Sequence, residues 1–493
     1  MDRSKGAGLL GGLAGGRAST LLTGFLLGVL AAAACSLYSA GGVGDDVYIY
    51  MTYAKRLIQQ GQFAFNIGER SNGATSLAHL LLLTGASYVF GLTATVWKTC
   101  SSILFGAAIG CSYGVFSRLC GRPLAVAASL VLLCDPLMLR WSGSGMENSL
   151  VALGLVVCLW LHCAVKDLRR GWIVGVALGL LSAIRPDLLI FGGAYVALKA
   201  WRDRLAASRF VMGFCATVLV LTLATYLLTG YPTPQTAAAK AVFLGQSVRA
   251  WPSTLVQLPL ILIGGSGLSI LALACLCVKG RSDDWMLATI IHVAGVCLYL
   301  VWTRTLISTR YDSTLAFPLL LAAVYGLLRT APSSPDRFRM AFAATQAIAA
   351  AITLWYLWPG ARAAQDGDIR RFAAATDKLT PRGARIALTQ IGVFGFHADR
   401  YVIDLVGLTD PQTLRWGEAH GKPLSMDQLE QLLRFRRAGY YVCITCKVGR
   451  EFRGVHLRFV PVYWQKVMQQ NSSRARIKDR ATWVLYRLDP SGR

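Results

Sequence analysis

The chain has 493 residues, of which 54% are hydrophobic and only 15% are charged, whereas soluble domains carry about 25% charged residues. Apolar runs fill most of the sequence before residue 360, which excludes a soluble enzyme, a disulfide-stapled secreted domain and a disordered chain. The 50 Lys and Arg against 25 Asp and Glu give a net charge of +25, as expected either of a nucleic-acid binder or of a membrane protein with basic cytoplasmic loops.

The N-terminal part begins with a membrane anchor. Residues 18–40 are apolar, follow three basic residues and lack the ending that a signal peptidase recognises. We predict an uncleaved first span whose N-terminus is cytoplasmic. Residues 41–75 then form a polar first outer loop. Residues 76–92 are apolar but short, which predicts a half-inserted or interfacial helix rather than a full span.

Ten more apolar runs are candidates for membrane-spanning helices. With the first run they make about eleven spans, and the turns that this assignment places in the cytoplasm are all basic, as the positive-inside rule requires. An odd number of spans puts the C-terminal part outside, where it can meet the first outer loop. The ten runs are residues 95–117, 122–140, 148–165, 171–184, 187–200, 208–229, 252–278, 284–302, 313–329 and 340–358.

The C-terminal part contains turn signals and runs that alternate in the manner of strands. These runs are residues 384–388, 401–405, 440–444 and 483–487. We therefore predict a polytopic α-helical membrane protein, with a transmembrane domain over residues 1–360 and an outer, periplasmic α/β domain over residues 361–493. From residue 360 onward, 23 Lys and Arg stand against 12 Asp and Glu, a net +11. The positive-inside rule does not explain this excess, which suits anionic headgroups or an acidic acceptor.

Eleven of the 13 cysteines lie in or beside apolar runs, where cysteine behaves as a small hydrophobic residue. The other two, Cys443 and Cys446, form a C-x-x-C pattern in the polar C-terminal part. The pattern fits a redox pair, half of a metal site or a local disulfide. One such pair without further Cys or His ligands favours a structural role.

Two adjacent carboxylates, Asp45 and Asp46, directly follow the first span. Beside an apolar boundary they can raise each other's pKa, so that one of them serves as a general base. The alternative is structural, because acidic residues are also favoured in the first turn of a helix, and a helix is expected over residues 47–60. For an isolated acidic pair the capping role is favoured, and the position at the membrane edge, with a polar cluster following, adds weight to a catalytic role.

The polar cluster continues through the first outer loop. Tyr48 lies on the helix that follows the acidic pair, and Asn66, Glu69 and Arg70 lie in turn-rich blocks. The hydrogen-bonding groups of these blocks suit sugar hydroxyls. Alternatively, the blocks simply return the chain to the membrane.

A second polar feature interrupts two apolar runs at Arg185-Pro186-Asp187. Proline breaks the helical hydrogen-bond ladder, and two charges would be costly in lipid. We therefore expect a helix break that faces a cavity on the outer side.

Six blocks, in order, resemble the GT-C superfamily of membrane glycosyltransferases, and among them the arabinofuranosyltransferase-like branch of mycobacterial and pilin arabinosyltransferases. The chain departs from the pattern of that branch at several positions, among them Asn72, Asn148 and Gln235. The blocks are residues 45–76 (DDVYI, FNIGER and NGATS), 144–148 (SGMEN), 185–187 (RPD), 231–240 (YPTPQTAAAK), 310–311 (RY) and 392–410 (GVFGF and DLVGLTD).

The resemblance implies an inverting transferase in a bacterial cytoplasmic membrane. It would move a sugar, D-arabinofuranose in this branch, from a polyprenyl-phosphate donor to a glycan, glycolipid or pilin acceptor on the outer face. Asp45 or Asp46 would take the proton of the acceptor hydroxyl as it attacks C1, and the sequence does not choose between them. Lys240, with Arg310 and Arg304, would stabilise the departing lipid phosphate. Lys240 can instead be an interfacial anchor.

The same blocks supply further candidates for sugar or acceptor binding, each with a structural alternative. Arg185 and Asp187 either contact the substrate or pair with each other across the helix break. Glu147 is either an acceptor-site carboxylate or an N-terminal helix cap. Asp404 and Asp410 are expected to shape a loop of the outer domain that faces the site, with Asp410 building a turn.

The histidines show no metal-ligand spacing, so no metal or other cofactor is assigned, although some relatives use a divalent metal near the first-loop acid. Alternative functions are a flippase or transporter of lipid-linked sugar, an inactive scaffold, and a GT-C transferase of a hexose or mannose. A transporter usually shows internal repeats and mid-membrane acids, whereas the charged blocks here gather at one face. A lipid-phosphate partner then replaces nucleic acid as the expected anion.

Overall fold

The computed structural model describes residues 4–38, 43–165, 167–202, 204–243, 269–302, 309–330, 362–422, 425–445, 452–468 and 480–490. Arg304, Cys446, the predicted span at 340–358 and most of that at 252–278 lie outside the described residues. The backbone of Arg310 is described, and its side chain is not.

Helices make up the part of the chain before residue 331. They are α1 (Ser4–Tyr38), α2 (Asp45–Gln60), α3 (Leu77–Phe90), α4 (Ala94–Cys120), α5 (Arg122–Leu133), α6 (Pro136–Ser142), α7 (Asn148–Ala164), α8 (Gly171–Ile184), α9 (Leu188–Arg202), α10 (Arg204–Thr229), α11 (Thr236–Phe243), α12 (Ser269–Val278), α13 (Asp284–Trp302) and α14 (Thr309–Arg329).

Four described stretches are long and apolar enough to cross a membrane, namely Ala18–Tyr38, Ala94–Cys120, Ala207–Thr229 and Asp284–Trp302. Several other helices are equally apolar but shorter, and they pack with the long ones around one hydrophobic core. This is the composition expected of a helical membrane protein. The count of eleven spans stays a prediction.

The short apolar run after the first outer loop forms α3. Its 14 residues cover about 21 Å at 1.5 Å per residue, less than the about 30 Å of a hydrocarbon core. The hydroxyl of Ser76 caps this helix by accepting a hydrogen bond from the backbone N–H of His79. The half-inserted or interfacial placement of this helix stays a prediction.

The run predicted as one span at 122–140 is two helices. α5 ends at Leu133, and α6 begins at Pro136. Asp135 stands between them and accepts a hydrogen bond from the backbone N–H of Met138 at 2.8 Å. The prediction of a single helix was wrong because Asp135 caps a new helix and Pro136 fits its first turn.

The C-terminal part combines helices with one sheet. Its strands lie in the order β2-β1-β3-β6-β5-β4, with parallel pairing among β2, β1 and β3 and antiparallel pairing in the rest. The four runs predicted as strands coincide with β1, β2, β3 and β6. The elements are α15 (Arg362–Leu379), β1 (Arg385–Leu388), α16 (Gly392–His397), β2 (Tyr401–Asp404), α17 (Pro411–His420), α18 (Met426–Phe435), β3 (Tyr440–Thr445), β4 (Phe452–Arg453), β5 (Leu457–Met468) and β6 (Arg480–Pro490).

The first outer loop and the C-terminal part share a hydrophobic core. Val47 and Phe65 from the loop region lie in one buried cluster with Phe372, Phe394 and Trp483 from the C-terminal part. Burial of apolar surface is the main favourable term in such packing, at roughly 25 cal/mol per Å². α2 is therefore held against the sheet region rather than lying in solvent.

Candidate active site

The acidic pair lies where α2 meets α16. Asp45 opens α2, and its two carboxylate oxygens accept hydrogen bonds from the backbone N–H groups of Gly392, at 3.0 Å, and Val393, at 2.8 Å. Burial raises the pKa of Asp45 to about 6, although these two hydrogen bonds oppose the shift. The side chain thus caps the first turn of α16, a helix 347 residues away in the sequence.

Gly392 makes this contact possible. A Cβ atom at Gly392 would lie 1.9 Å from the backbone carbonyl oxygen of Asp45, a distance no side chain tolerates. The absence of a side chain at this position therefore lets α16 come close enough for its N–H groups to reach the carboxylate.

A third carboxylate joins the pair from α15. The hydroxyl of Tyr48, one turn after Asp45, donates a hydrogen bond to Asp366 at 3.4 Å. Burial raises the pKa of Asp366 to about 7, and the charge of Asp45 adds to the shift. Asp45, Tyr48 and Asp366 therefore form one acidic cluster built from two distant parts of the chain.

Aromatic and basic groups border this cluster. The Tyr48 ring lies 5.5 Å from the ring of Phe396 and 5.8 Å from that of His397, between ring centroids. Lys55 donates to the backbone carbonyl of Phe396 at 3.0 Å. Burial lowers the pKa of His397 to about 4, helped by the charges of Arg370 and Lys55, so this histidine is neutral near pH 7.

The FNIGER block of the outer loop is joined to β2. The amide of Asn66 donates to the carbonyl of Val402 at 2.8 Å and accepts from its N–H at 3.0 Å. The hydroxyl of Tyr401 donates to Glu69. Arg70, in contrast, is exposed. The side chains of Asn66 and Glu69, predicted to contact sugar, make structural hydrogen bonds to the C-terminal part.

A buried ion pair supports the same junction. Asp410 caps α17 by accepting from the N–H groups of Gln412 and Thr413, and it pairs with the fully buried Arg436 at 2.7 Å. Arg436 also lies 3.7 Å from Glu69. The predicted turn-building role of Asp410 is observed, together with an arginine that sequence reasoning did not identify.

Asp404 is also engaged in its own loop. It is fully buried and accepts hydrogen bonds from the N–H of Val406, at 2.9 Å, and from the N–H of Thr409, at 2.8 Å. A Cβ atom at Gly73 would lie 2.6 Å from the Thr409 side chain. The loop that Asp404 shapes therefore packs directly against the NGATS block of the first outer loop.

The helix break at Arg185-Pro186-Asp187 holds a second buried charge cluster. Arg185 donates to Glu147 at 2.7 Å and to Asp187 at 2.9 Å, and the Arg185 side chain is only 5% exposed. Glu147 occupies the N-cap position of α7 without a capping hydrogen bond from its side chain, and its carboxylate pairs with Arg185. The arginine joins the end of α8 to the start of α7.

The block that carries Lys240 is tied to the first outer loop. The N–H of Asn72 donates to the Gln235 side chain at 3.0 Å, and the N–H of Gln235 donates to the Asn72 carbonyl at 2.9 Å. These are two positions at which the chain departs from the branch pattern, and they contact each other. Lys240 follows in the last turn of α11, which packs against α17 through Phe243 and Leu414.

Sequence reasoning missed Asp366, Arg436 and Tyr401. The first lies on α15 outside every block that resembles the superfamily, so no signal marked it. The other two act through contacts with residues more than twenty positions away. Within the described ranges, no group of three or more His, Cys, Asp and Glu side chains is arranged to hold a metal ion.

Comparison of the sequence with known proteins gives one local match. Residues 359–486 match a family model described as a domain of unknown function, DUF8728. No curated protein matches the chain.

Comparison of the structure gives matches over most of the chain. The oligosaccharyltransferase of Archaeoglobus fulgidus, in complex with zinc and sulfate, is 14% identical with a TM-score of 0.55, over 84% of this chain and 67% of that one. The same enzyme tethered to an acceptor peptide is 12% identical with a TM-score of 0.55, over 85% and 69%. ArnT of Cupriavidus metallidurans, bound to undecaprenyl phosphate, is 11% identical with a TM-score of 0.53, over 93% and 97%. The chain therefore shares its overall fold with these two proteins.

Proposed function

We propose that this chain is a membrane glycosyltransferase that moves a sugar from a polyprenyl-phosphate donor to a cell-envelope acceptor on the outer face of a bacterial cytoplasmic membrane. Fold alone does not establish activity. The observation that carries the proposal is the acidic cluster at the start of α2, enclosed by α15 and α16 of the C-terminal part. ArnT, with a similar fold, binds undecaprenyl phosphate.

Within this proposal the two adjacent acids have different tasks. Both oxygens of Asp45 accept backbone hydrogen bonds from α16, which suits a residue that positions the loop. Asp46, in the same helical turn, is then the general base that takes the proton from the acceptor hydroxyl as its oxygen attacks C1 of the sugar. The C1–O bond to the lipid phosphate breaks, and attack from the opposite side inverts the configuration.

The leaving phosphate gains negative charge as this bond breaks, and a positioned cation would stabilise it. Lys240 is our first candidate, because α11 is tied to the first outer loop through Asn72 and Gln235. Arg310, in the first turn of α14, and Arg304 complete the proposed set.

The remaining parts of the proposal concern architecture and sugar. We propose about eleven spans over residues 1–360 and a periplasmic α/β domain over residues 361–493, with the active site on the same side. Resemblance of the sequence blocks to one branch favours D-arabinofuranose as the sugar. A glycan, glycolipid or pilin would be the acceptor, and the net +11 of the C-terminal part suits an acidic one.

The test is to incubate purified full-length protein with synthetic polyprenyl-phosphate pentoses and hexoses, and to follow consumption of each donor. Consumption of the arabinofuranosyl donor alone supports the full proposal, and consumption of a hexose donor supports transfer of another sugar. If no donor is consumed, but lipid-linked sugar changes leaflet in vesicles that contain the protein, the chain is a transporter and the proposed transfer is wrong.

A further inference from the structure

A groove on the surface of α1, α4 and α7 lies outside the proposed active site. It has a volume of about 680 Å³, and the described residues that line it are apolar except Thr20 and Arg118. From Thr20 to Ala32 it follows α1 for about 18 Å at 1.5 Å per residue. This length is close to half of the about 30 Å hydrocarbon core, so the groove has the depth of one leaflet.

Glycines shape the groove in two ways. A Cβ at Gly28 would lie 2.9 Å from the carbonyl oxygen of Gly106, and one at Gly110 would lie 2.7 Å from that of Gly24. These four glycines therefore bring α1 and α4 into direct contact, as small residues do between membrane helices. Gly114 is different, because no described heavy atom lies within 4 Å of the position its Cβ would take.

The two polar residues of the groove gather at one end, beside a tryptophan. Thr20, Arg118 and Trp160 line this end, and Arg122 donates a hydrogen bond to the nearby Ser19 at 3.0 Å. α1 runs from here to Tyr38, after which the loop with Asp45 begins. The polar end is therefore remote from the proposed active site. Tryptophan is enriched at membrane interfaces, and arginine attracts anionic headgroups.

We propose that this groove binds one anionic phospholipid from the leaflet opposite the proposed active site, with its phosphate beside Arg118 and an acyl chain along Gly114. Three features favour this occupant. The exposed arginine complements an anionic rather than a zwitterionic headgroup. A depth of one leaflet suits an acyl chain, whereas a spanning helix of a second copy needs the full core. A sugar donor would carry its phosphate at the other face.

The test is native mass spectrometry of the full-length protein, released from lipid mixtures with equal amounts of phosphatidylglycerol and phosphatidylcholine. We expect wild type to retain one phosphatidylglycerol with about fivefold preference, the effect of about one basic side chain near a headgroup. Arg118→Gln should remove the preference. Gly114→Leu should remove retention of either lipid, because its side chain fills the groove.

Gly193→Leu is the matched control. Gly193 lies on α9, outside the groove, and among the described residues no heavy atom lies within 4 Å of its Cβ position. This variant should retain phosphatidylglycerol as wild type does. Thermal unfolding of each variant shows whether it is folded, and Arg118→Gln, at an exposed position, tests the proposal even if Gly114→Leu does not fold.

Four outcomes would overturn the proposal. They are equal retention of the two lipids by wild type, unchanged preference in Arg118→Gln, unchanged retention in folded Gly114→Leu, and displacement of the phospholipid by undecaprenyl phosphate. The last outcome would assign the groove to the donor lipid. A dimer that dissociates in Gly114→Leu, without lipid loss, would assign it to a second copy of the chain.

Discussion

Asp45, the first of the two adjacent acids, is held in place by the C-terminal part. Backbone hydrogen bonds from α16 hold Asp45 by both oxygens, while burial raises its pKa to about 6. The carboxylate is therefore part of the contact between the first outer loop and the C-terminal part. Substitution of Asp45 should therefore affect folding as well as activity.

The first prediction separates the two acids by substitution. Asp46→Asn should lower donor turnover by about 10²–10⁴-fold, the usual contribution of a general base. Asp45→Asn should lower stability by about 1–3 kcal/mol, because the amide nitrogen leaves one backbone N–H of α16 without its acceptor. Donor turnover and thermal unfolding of both variants are the measurements. Full activity of Asp46→Asn would reassign the base.

The second prediction concerns pH. Burial raises the pKa of Asp404 to about 7, against about 4 in the unfolded chain. Between pH 4 and 7 the folded state therefore binds more protons than the unfolded state. The contribution of Asp404 to the free energy of unfolding is complete below pH 4 and is lost as the pH rises through 7. The raised pKa values of Asp45 and Asp366 change the stability with pH in the same direction. His397, with its pKa lowered to about 4, acts in the opposite direction.

The measurement is the midpoint of thermal unfolding by tryptophan fluorescence at pH 5 and pH 8. Asp404→Asn removes the titrating group, so its midpoint should change less between the two pH values than that of wild type. A general loss of stability in the variant lowers the unfolding midpoint at both pH values, so it does not alter the difference between them. An equal pH dependence of the two proteins would contradict the assigned pKa.

At the scale of elements, the junction between α2 and α16 decides whether the acidic cluster forms. α2 brings Asp45 and Tyr48 from the membrane side, α15 brings Asp366, and the start of α16 supplies two N–H groups. Asn66 and Val402 add a pair of hydrogen bonds nearby. The cluster therefore depends on close approach of backbone to backbone.

The third prediction tests that approach. Gly392→Ala would place a Cβ 1.9 Å from the Asp45 carbonyl oxygen, so α16 must move, at a cost of about 1–3 kcal/mol, and donor turnover should fall with it. Gly383→Ala is the matched control, because its Cβ has no described heavy atom within 4 Å. Thermal unfolding and turnover of the two variants should differ clearly, and equal behaviour would contradict a role for this contact.

At the scale of the whole molecule, the outer loop and the C-terminal part form one hydrophobic cluster, so they must lie on the same side of the membrane. The basic turns predict that this side is opposite the cytoplasm. The packing of the two regions thus constrains the number of spans. An even number before residue 360 would place the outer loop and the C-terminal part on opposite sides of the membrane.

The fourth prediction is the resulting topology. In a bacterial host, alkaline phosphatase fused after Arg493 should be active, whereas a fusion after Gly280, between α12 and α13, should be inactive. Green fluorescent protein fused at the same two positions provides the reciprocal control, because it becomes fluorescent in the cytoplasm. An inactive phosphatase at Arg493 would contradict the proposed outer location of the C-terminal part.

Much of the secondary structure follows from local sequence alone. Apolar runs predict helices, Pro186 marks the break after α8, and alternating runs coincide with β1, β2, β3 and β6. These signals are local because hydropathy, proline and side-chain alternation act within a few residues. The single span predicted at 122–140 was wrong for a local reason too, since Asp135-Pro136 is a helix-starting signal.

The acidic pair, too, stands out in the sequence, but its use depends on the tertiary structure. Asp45 bonds to Gly392 and Val393, and Asp366 reaches Tyr48 across more than 300 residues. Asn66, which suited a sugar hydroxyl by its chemistry, bonds to Val402 instead. The capacity of a side chain to form hydrogen bonds is a property of its residue type. Its partner, however, depends on which distant segment of backbone packs beside it, and only the folded chain determines this packing.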